Sequence, residues 1–438
     1  MFKETTDKLF SQMPTIGGMK EHLDQRTRGD KYIWGLVIVL SLISILVVYS
    51  ATGSLAYKMY RGNTNMYLFK QVAFTLVGLI VIFGLHRVNY TVFSRIATIL
   101  FMLSIPLLIY TLFFGAKINE GSRWIKLPII NLTIQSSDVA KLALFMYISK
   151  VLSKKQDVIK DFKKGFWPVL WPVLITCALI MPANLSNALL TGATSLLLMF
   201  IGRVSFKHIL LTIGIAMIPV VIIISVAMAT HTNKTVEGKP VVAEQLKSFG
   251  RFGTWVNRVQ DFMYAKENEV PYQVQQAKIA IANGGIFFGL GPGNSRQRNF
   301  LPQAYNDFIY AVIIEEYGLI GGAFIIFIYL VFLFRCIRIF RKCPYAFGAF
   351  LALGLSFTLI IQAVANMAVN VNIVPVTGVT LPLVSMGGSS FIFTCCSIGL
   401  ILSVARNVEQ LEGKAPIETE IELPEVNNEI ENDIQPTA

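Results

Sequence analysis

Residues 208–230 read HILLTIGIAMIPVVIIISVAMAT, twenty-three positions without one Asp, Glu, Lys or Arg. As a helix this run is about 35 Å long, enough to cross a hydrocarbon layer of about 30 Å. Nine further runs are predominantly apolar, with few charges: 33–52, 69–86, 94–114, 135–152, 166–181, 185–202, 307–334, 347–371 and 386–405. The break at Met181-Pro182-Ala183-Asn184 divides 166–202 into two spans joined by a tight hairpin. The pattern predicts an all-α polytopic membrane protein with ten transmembrane helices. Composition agrees: 54% of the 438 residues are hydrophobic and 15% are charged, against about 25% charged in soluble domains. A disordered chain and a water-soluble enzyme are both excluded on these grounds.

The formal charge of +12 looks suited to nucleic acid until its placement is read. Residues 407–438 carry nine acids and one Lys, which leaves the body near +20. Those cations sit in short connections between apolar runs, where they set topology and do not form a nucleic-acid surface. The N-terminal tail, His86-Arg87, Lys150 to Lys164, Arg203 to His208, Arg335 to Lys342 and Arg406 fall on one side. The Lys/Arg excess marks that side, with both termini, as cytoplasmic. The chain then divides into a tail over 1–32, a membrane domain over 33–406 and an acidic tail over 407–438 with the composition of a disordered segment. Within the membrane domain, the connection 231–306 between the seventh and eighth spans is a large extracytoplasmic loop, too long for a simple connector. The first span is read as uncleaved, because no small-residue cleavage site follows it. Cys177, Cys336, Cys343, Cys395 and Cys396 avoid the outer loops and match no zinc spacing, so no disulfide framework is implied.

Five constellations can carry chemistry. Asp307 stands where the outer loop enters the eighth span; it is either an N-cap or a partly shielded carboxylate suited to general-base work. Glu315-Glu316 lie inside an apolar run and must face the bundle interior, as packing bonds or beside a wet cavity. Asp138 and Lys141, three residues apart, share a helix face and can neutralise each other; intramembrane ionisable groups are also functional candidates. Arg123-Trp124 reads as an interfacial anchor or as a phosphate ligand. Gln362, Asn366 and Asn370 form an i, i+4, i+8 stripe that lines a cavity or joins helices. The following phrase, Val374 through Ser385, Gly387, Gly388 and Ser390, holds two prolines and several small residues, and predicts ordered irregular backbone whose amides could meet an anion. The Gly-x-Gly-x-Gly of Gly289 to Gly293 follows no strand and lacks a P-loop Lys, so it is a weak nucleotide signature.

Taken together and in order, several of these phrases resemble the SEDS family (shape, elongation, division, sporulation; FtsW/RodA type). They are Arg123-Trp124-Ile125, Gln135 through Leu142, Tyr272-Gln273 with Gln276-Ala277, Gly291 through Pro302, Asn306 through Ile309 with Glu315 through Gly318, and Pro375 through Ser390. The Thr377 to Pro382 phrase is closer to the division branch, FtsW, than to the elongation branch, RodA. Ser136, Asp138, Asn184, Gln303 and Tyr305 depart from the family pattern, and Glu120 stands where the pattern has Gly.

The resemblance implies a peptidoglycan glycosyltransferase that polymerises lipid II outside the cytoplasmic membrane of a bacterium, in septal cell-wall synthesis. The alternatives are a lipid II flippase, an elongation-type polymerase, or a scaffold without chemistry. Asp307 is implied as the catalytic residue, the base at the acceptor. Arg123, Lys141, Gln273 and Ser295 are the candidates for substrate and pyrophosphate contacts. Trp124, Asp138, Asn306, Glu315, Asn366, Asn370, Ser385, Gly387 and Gly388 are implied as supporting. A divalent cation (Mg or Mn) could assist the leaving group, though no ligand set is legible; no organic cofactor is implied. The implied partners are a class B penicillin-binding transpeptidase with a single span, other divisome proteins and membrane lipids. The small residues Gly348, Ala349, Ala352, Gly354 and Ser356 suggest a docking face for that span.

Overall fold

The computed structural model describes residues 29–53, 55, 65–118, 121–126, 133–231, 252–264 and 271–412. The acidic tail beyond residue 412, the N-terminal tail to residue 28 and parts of the outer loop lie outside the described residues. The described chain is a helical bundle: α1 Lys31–Ala51, α2 Asn65–Arg87, α3 Tyr90–Phe114, α4 Ser136–Lys154, α5 Trp167–Ile180, α6 Leu185–Ile201, α7 Phe206–His231, α8 Phe252–Tyr264, α9 Tyr272–Gly284, α10 Ile309–Lys342, α11 Ala346–Asn370 and α12 Ser389–Glu412. Each of the ten apolar runs is a helix, and the chain is a multi-pass membrane protein. Among the described residues, eight helical segments are long and apolar enough to cross a bilayer. The other two runs give α4, diluted by Asp138, Lys141, Lys150 and Lys154, and α6, of 17 residues. The hairpin predicted at 181–184 is present, with the Asn184 side chain accepting from the Asn187 amide to start α6.

The connection between α3 and α4 forms a three-stranded antiparallel sheet, β1 Ala116–Ile118, β2 Gly121–Lys126 and β3 Thr133–Gln135. Trp124 lies opposite Gln135, the residue that leads into α4.

Burial separates centre from periphery. Most of α11 and α12 is buried, whereas α7 and much of α2 and α3 show apolar side chains outward, as lipid-facing helices must. The small-residue stripe of α11 belongs to this centre. Ala352 and Ser356 are fully buried. A Cβ added at Gly354 would lie 2.8 Å from Leu198 Cδ2, and one at Gly348 3.1 Å from the Tyr90 ring. These residues let α3 and α6 approach α11, so the expectation that they form a docking face is corrected: they are not on the surface.

Two places interrupt the helices. α10 breaks at Gly318, whose φ of 72° is left-handed. Between α11 and α12, residues 371–388 run irregularly, exposed at Val371 and Ile373 and mostly buried from Val379 to Ser385. Buried irregular backbone needs partners for its polar groups, and side chains from four helices supply them. Ser44 donates to the Val384 carbonyl at 2.8 Å, Tyr329 to that of Pro382, Gln362 to that of Thr380 at 3.0 Å, Asn366 to that of Val379 at 2.7 Å, and Arg258 to that of Val376 at 3.0 Å.

Candidate functional site

Asp307 lies in the turn between the outer loop and α10. It is not the helix cap: α10 begins at Ile309 with Phe308 before it. The turn is set by Gln303, at φ 58°, whose carbonyl accepts from the Asn306 amide at 2.9 Å. The polar stripe of α11 then fixes the backbone. Asn366 and Asn370 both donate to the Asp307 carbonyl, at 2.8 and 2.9 Å, while the Asn370 side-chain oxygen accepts from the Ala311 amide at 3.0 Å. One residue earlier, Ser385 Oγ donates to the Asn306 carbonyl at 2.6 Å and accepts from the Leu381 amide at 2.8 Å. The Met386 amide bonds the Tyr305 carbonyl at 3.0 Å. Asn306, Asp307, Asn366, Asn370 and Ser385 are therefore one cluster.

The half-buried carboxylate lies over Gly378: a Cβ there would be in ordinary contact, 3.5 Å from Asp307 Oδ2, and it is the φ of 66° that favours glycine. Arg258, which the sequence did not single out, reaches this place from α8. Burial pulls its guanidinium below the ordinary arginine value, and the Asp307 charge opposes that shift. Burial, and then the same charge, pushes the Tyr305 phenol up. Asp307 thus lies within electrostatic reach of a cation that also bonds Val376, two residues from Gly378. The one sequence signal for Arg258 was its helical spacing from Trp255 and Phe262, which places a charge on an aromatic face.

A second cluster lies at the start of α4. Lys141 and Asp138 pair at 2.8 Å, and Ser390 donates to the other Asp138 oxygen at 2.6 Å. Gly387 and Gly388 lead into this contact, Gly388 at φ 51°. The pair borders a cavity of about 30 Å³ that Gln362, Thr358 and Leu359 also line. That volume holds water but not a sugar or a diphosphate. Gln362 is one turn from Asn366, so α11 joins the two clusters along one face.

Ser295 and Glu315 form a third cluster. Ser295 donates to Glu315, which also accepts from the Arg296 and Gln297 amides at 3.2 Å and from Asn283 at 3.4 Å. Glu316 accepts from Ser50 of α1, and Arg298 donates to Ser50 Oγ at 3.2 Å. These two acids hold loop to helix, the packing alternative. Ser295, a candidate substrate ligand, is buried in this arrangement. Gln273 is half-buried on the first turn of α9 and joins none of the three clusters. Trp124 is half-buried on β2; Arg123 shares that strand, and its side chain lies outside the described residues. The anion cradle expected from 374–390 is corrected in part: the Leu381, Val384, Ser385 and Met386 amides are already bonded within the chain. Among the described residues no three His, Cys, Asp or Glu side chains converge.

A profile for the FtsW/RodA/SpoVE family, described as a cell cycle protein, matches residues 30–410. The chain belongs to the FtsW/RodA/SpoVE family. Members similar to it include a probable peptidoglycan glycosyltransferase FtsW of Trichlorobacter lovleyi, 33% identical over 85% of this chain and 92% of that protein. The stage V sporulation protein E of Bacillus subtilis is 30% identical over 87% of this chain and 98% of its own. A solved chain from a study titled "Structural coordination of polymerization and crosslinking by a peptidoglycan synthase complex" shares the fold at a TM-score of 0.66 and 25% identity, covering 87% of this chain and 99% of that one. The Thermus thermophilus rod shape determining protein RodA shares the fold at a TM-score of 0.60 and 21% identity, over 86% of this chain and 97% of its own. The clamp on Asp307 and the Asp138–Lys141 pair both fall inside the part matched to the FtsW/RodA/SpoVE family.

Proposed function

We propose that this chain is a peptidoglycan glycosyltransferase that joins lipid II units into glycan strands at the outer face of the cytoplasmic membrane, in septal wall synthesis. The observation that carries this reading is the Asp307 carboxylate, half-buried over Gly378 on a backbone clamped by two asparagines. The acceptor's 4-hydroxyl attacks the anomeric carbon of the donor sugar. The new C–O bond forms as the bond to the polyprenyl diphosphate breaks, and the hydroxyl proton passes to Asp307. Positive charge must meet the departing diphosphate. Lys141, half-buried beside Asp138, is the first candidate and Arg123, on the strand that pairs with the α4 entrance, is the second.

The protein crosses the membrane ten times in this reading, with both termini in the cytoplasm as the Lys/Arg bias requires. Its partner is a transpeptidase of the penicillin-binding class with one span; the relatives named FtsW and the likeness to a chain of a peptidoglycan synthase complex support that choice. Purified protein in detergent, mixed with lipid II and the partner, tests the proposal. Glycan polymer on a gel supports it, because flipping cannot create a glycosidic bond. Unchanged lipid II, with transport in vesicles, would establish the flippase reading instead.

A further inference from the structure

The break in α10 and the glycine-rich loop before it form one unit. The Leu290 and Gly291 amides donate to the Glu315 and Glu316 carbonyls at 2.9 and 3.0 Å. The Leu319 and Ile320 amides donate to the Gly285 and Ile286 carbonyls at 3.1 and 3.3 Å. The loop thus satisfies helix groups that the bend at Gly318 leaves open. Close approach is obligatory: a Cβ at Gly289 would lie 2.4 Å from the Glu316 carbonyl carbon, and one at Gly284 2.0 Å from the Ile314 oxygen.

These bonds fix the loop's depth. Residues 309–316 of α10 are all buried in protein. Outward-facing apolar side chains begin at Leu319 and Ile320 and continue through Phe327 and Phe334 to Arg335. Leu319 to Phe334 spans about 22 Å of a hydrocarbon layer about 30 Å thick, and Arg335 marks one boundary. Leu319 therefore sits about 6 Å inside the opposite boundary. The loop bonded to it exposes Ile286, Phe287 and Phe288, the last 87% exposed. These three side chains extend the lipid-facing belt of α10 and carry no charge.

We infer that residues 285–290 are re-entrant, with Ile286, Phe287 and Phe288 inserted into the hydrocarbon of the leaflet on the Asp307 side. Part of the loop assigned to water is then a wedge in the lipid, braced on the break in the helix that starts beside Asp307. The occupant of this face is acyl chain and not a partner helix, because the face is continuous with the α10 belt.

A photoreactive benzoyl-phenylalanine at position 288 tests this in full-length protein reconstituted into phosphatidylethanolamine and phosphatidylglycerol vesicles. The same residue at Phe334 is the lipid-facing control, and at Gln275, exposed on α9, the water-facing control. Position 287 provides a second probe, so that one poorly tolerated insertion does not decide the result. Phospholipid adducts by mass spectrometry at 287 and 288, at a yield within a few-fold of 334 and well above 275, are expected. Yields at 287 and 288 equal to 275, with 334 labelled, overturn the inference. So does an adduct formed mainly with another polypeptide when irradiation is done in native membranes.

Discussion

Asn366 and Asn370 donate to the same carbonyl oxygen, that of Asp307, so their removal should not be additive. Asn370→Ala deletes the bond to the Asp307 carbonyl and leaves the Ala311 amide without its side-chain acceptor, while Asn366 still holds Asp307. Asn366→Ala deletes a different second bond, to Val379, while Asn370 still holds Asp307. Only the double variant strips the Asp307 carbonyl of both donors. Interhelical hydrogen bonds in membrane proteins are worth about 0.6 kcal/mol on average and up to about 1.7. Each single change should therefore lower kcat by a factor of about 3 to 20, since about 1.4 kcal/mol is tenfold. The double variant should lose a further factor of about five beyond the product of the singles, equivalent to about 1 kcal/mol of coupling. The assay is the initial rate of polymer formation by the purified complex at saturating lipid II, with thermal stability measured in parallel. Strict additivity within about 0.3–0.5 kcal/mol would refute the claim that a shared clamp sets the position of Asp307.

Other outcomes follow from the same contacts. Arg258→Gln should reduce kcat about tenfold and move the acid limb of the pH–rate profile to higher pH, because losing a nearby cation disfavours ionised Asp307; Arg258→Lys should restore part of the pH shift. Gly289→Ala places a Cβ against the Glu316 backbone at positive φ and should lower yield and Tm sharply. Gly293→Ala, at φ 78° in open space, should cost only the left-handed strain of about 1–2 kcal/mol. Asp138→Asn leaves Lys141 without its partner and should be more destabilising than Asp138→Asn with Lys141→Met, as thermal unfolding in detergent would show.

What the sequence disclosed was local or periodic. Asp138 and Lys141 are three residues apart, so helix geometry alone pairs them. The Gln362, Asn366 and Asn370 stripe follows from a period of four. The ten helices follow from apolar run length. The illegible parts depend on distant partners. Arg258 is 118 residues from the carbonyl it bonds. The Gly289 to Gly293 run looked like a weak phosphate loop because its need for glycine comes from α10, which lies later in the chain. The stripe from Gly348 to Ser356 was misplaced for a related reason: small residues permit close helix packing whether the neighbour is Leu198 of the same bundle or another protein's helix. The three short strands at 116–135 carry too few residues for alternation to stand out from a polar loop.

The most direct measurement is polymerisation by Asp307→Asn, which keeps the size of the side chain and its backbone clamp but removes the base. The variant should insert into the membrane, bind its partner and match the wild-type melting profile, and form no glycan polymer from lipid II. Polymer at near wild-type rate from correctly folded Asp307→Asn would contradict the account, and the proton acceptor would have to lie elsewhere in the bundle.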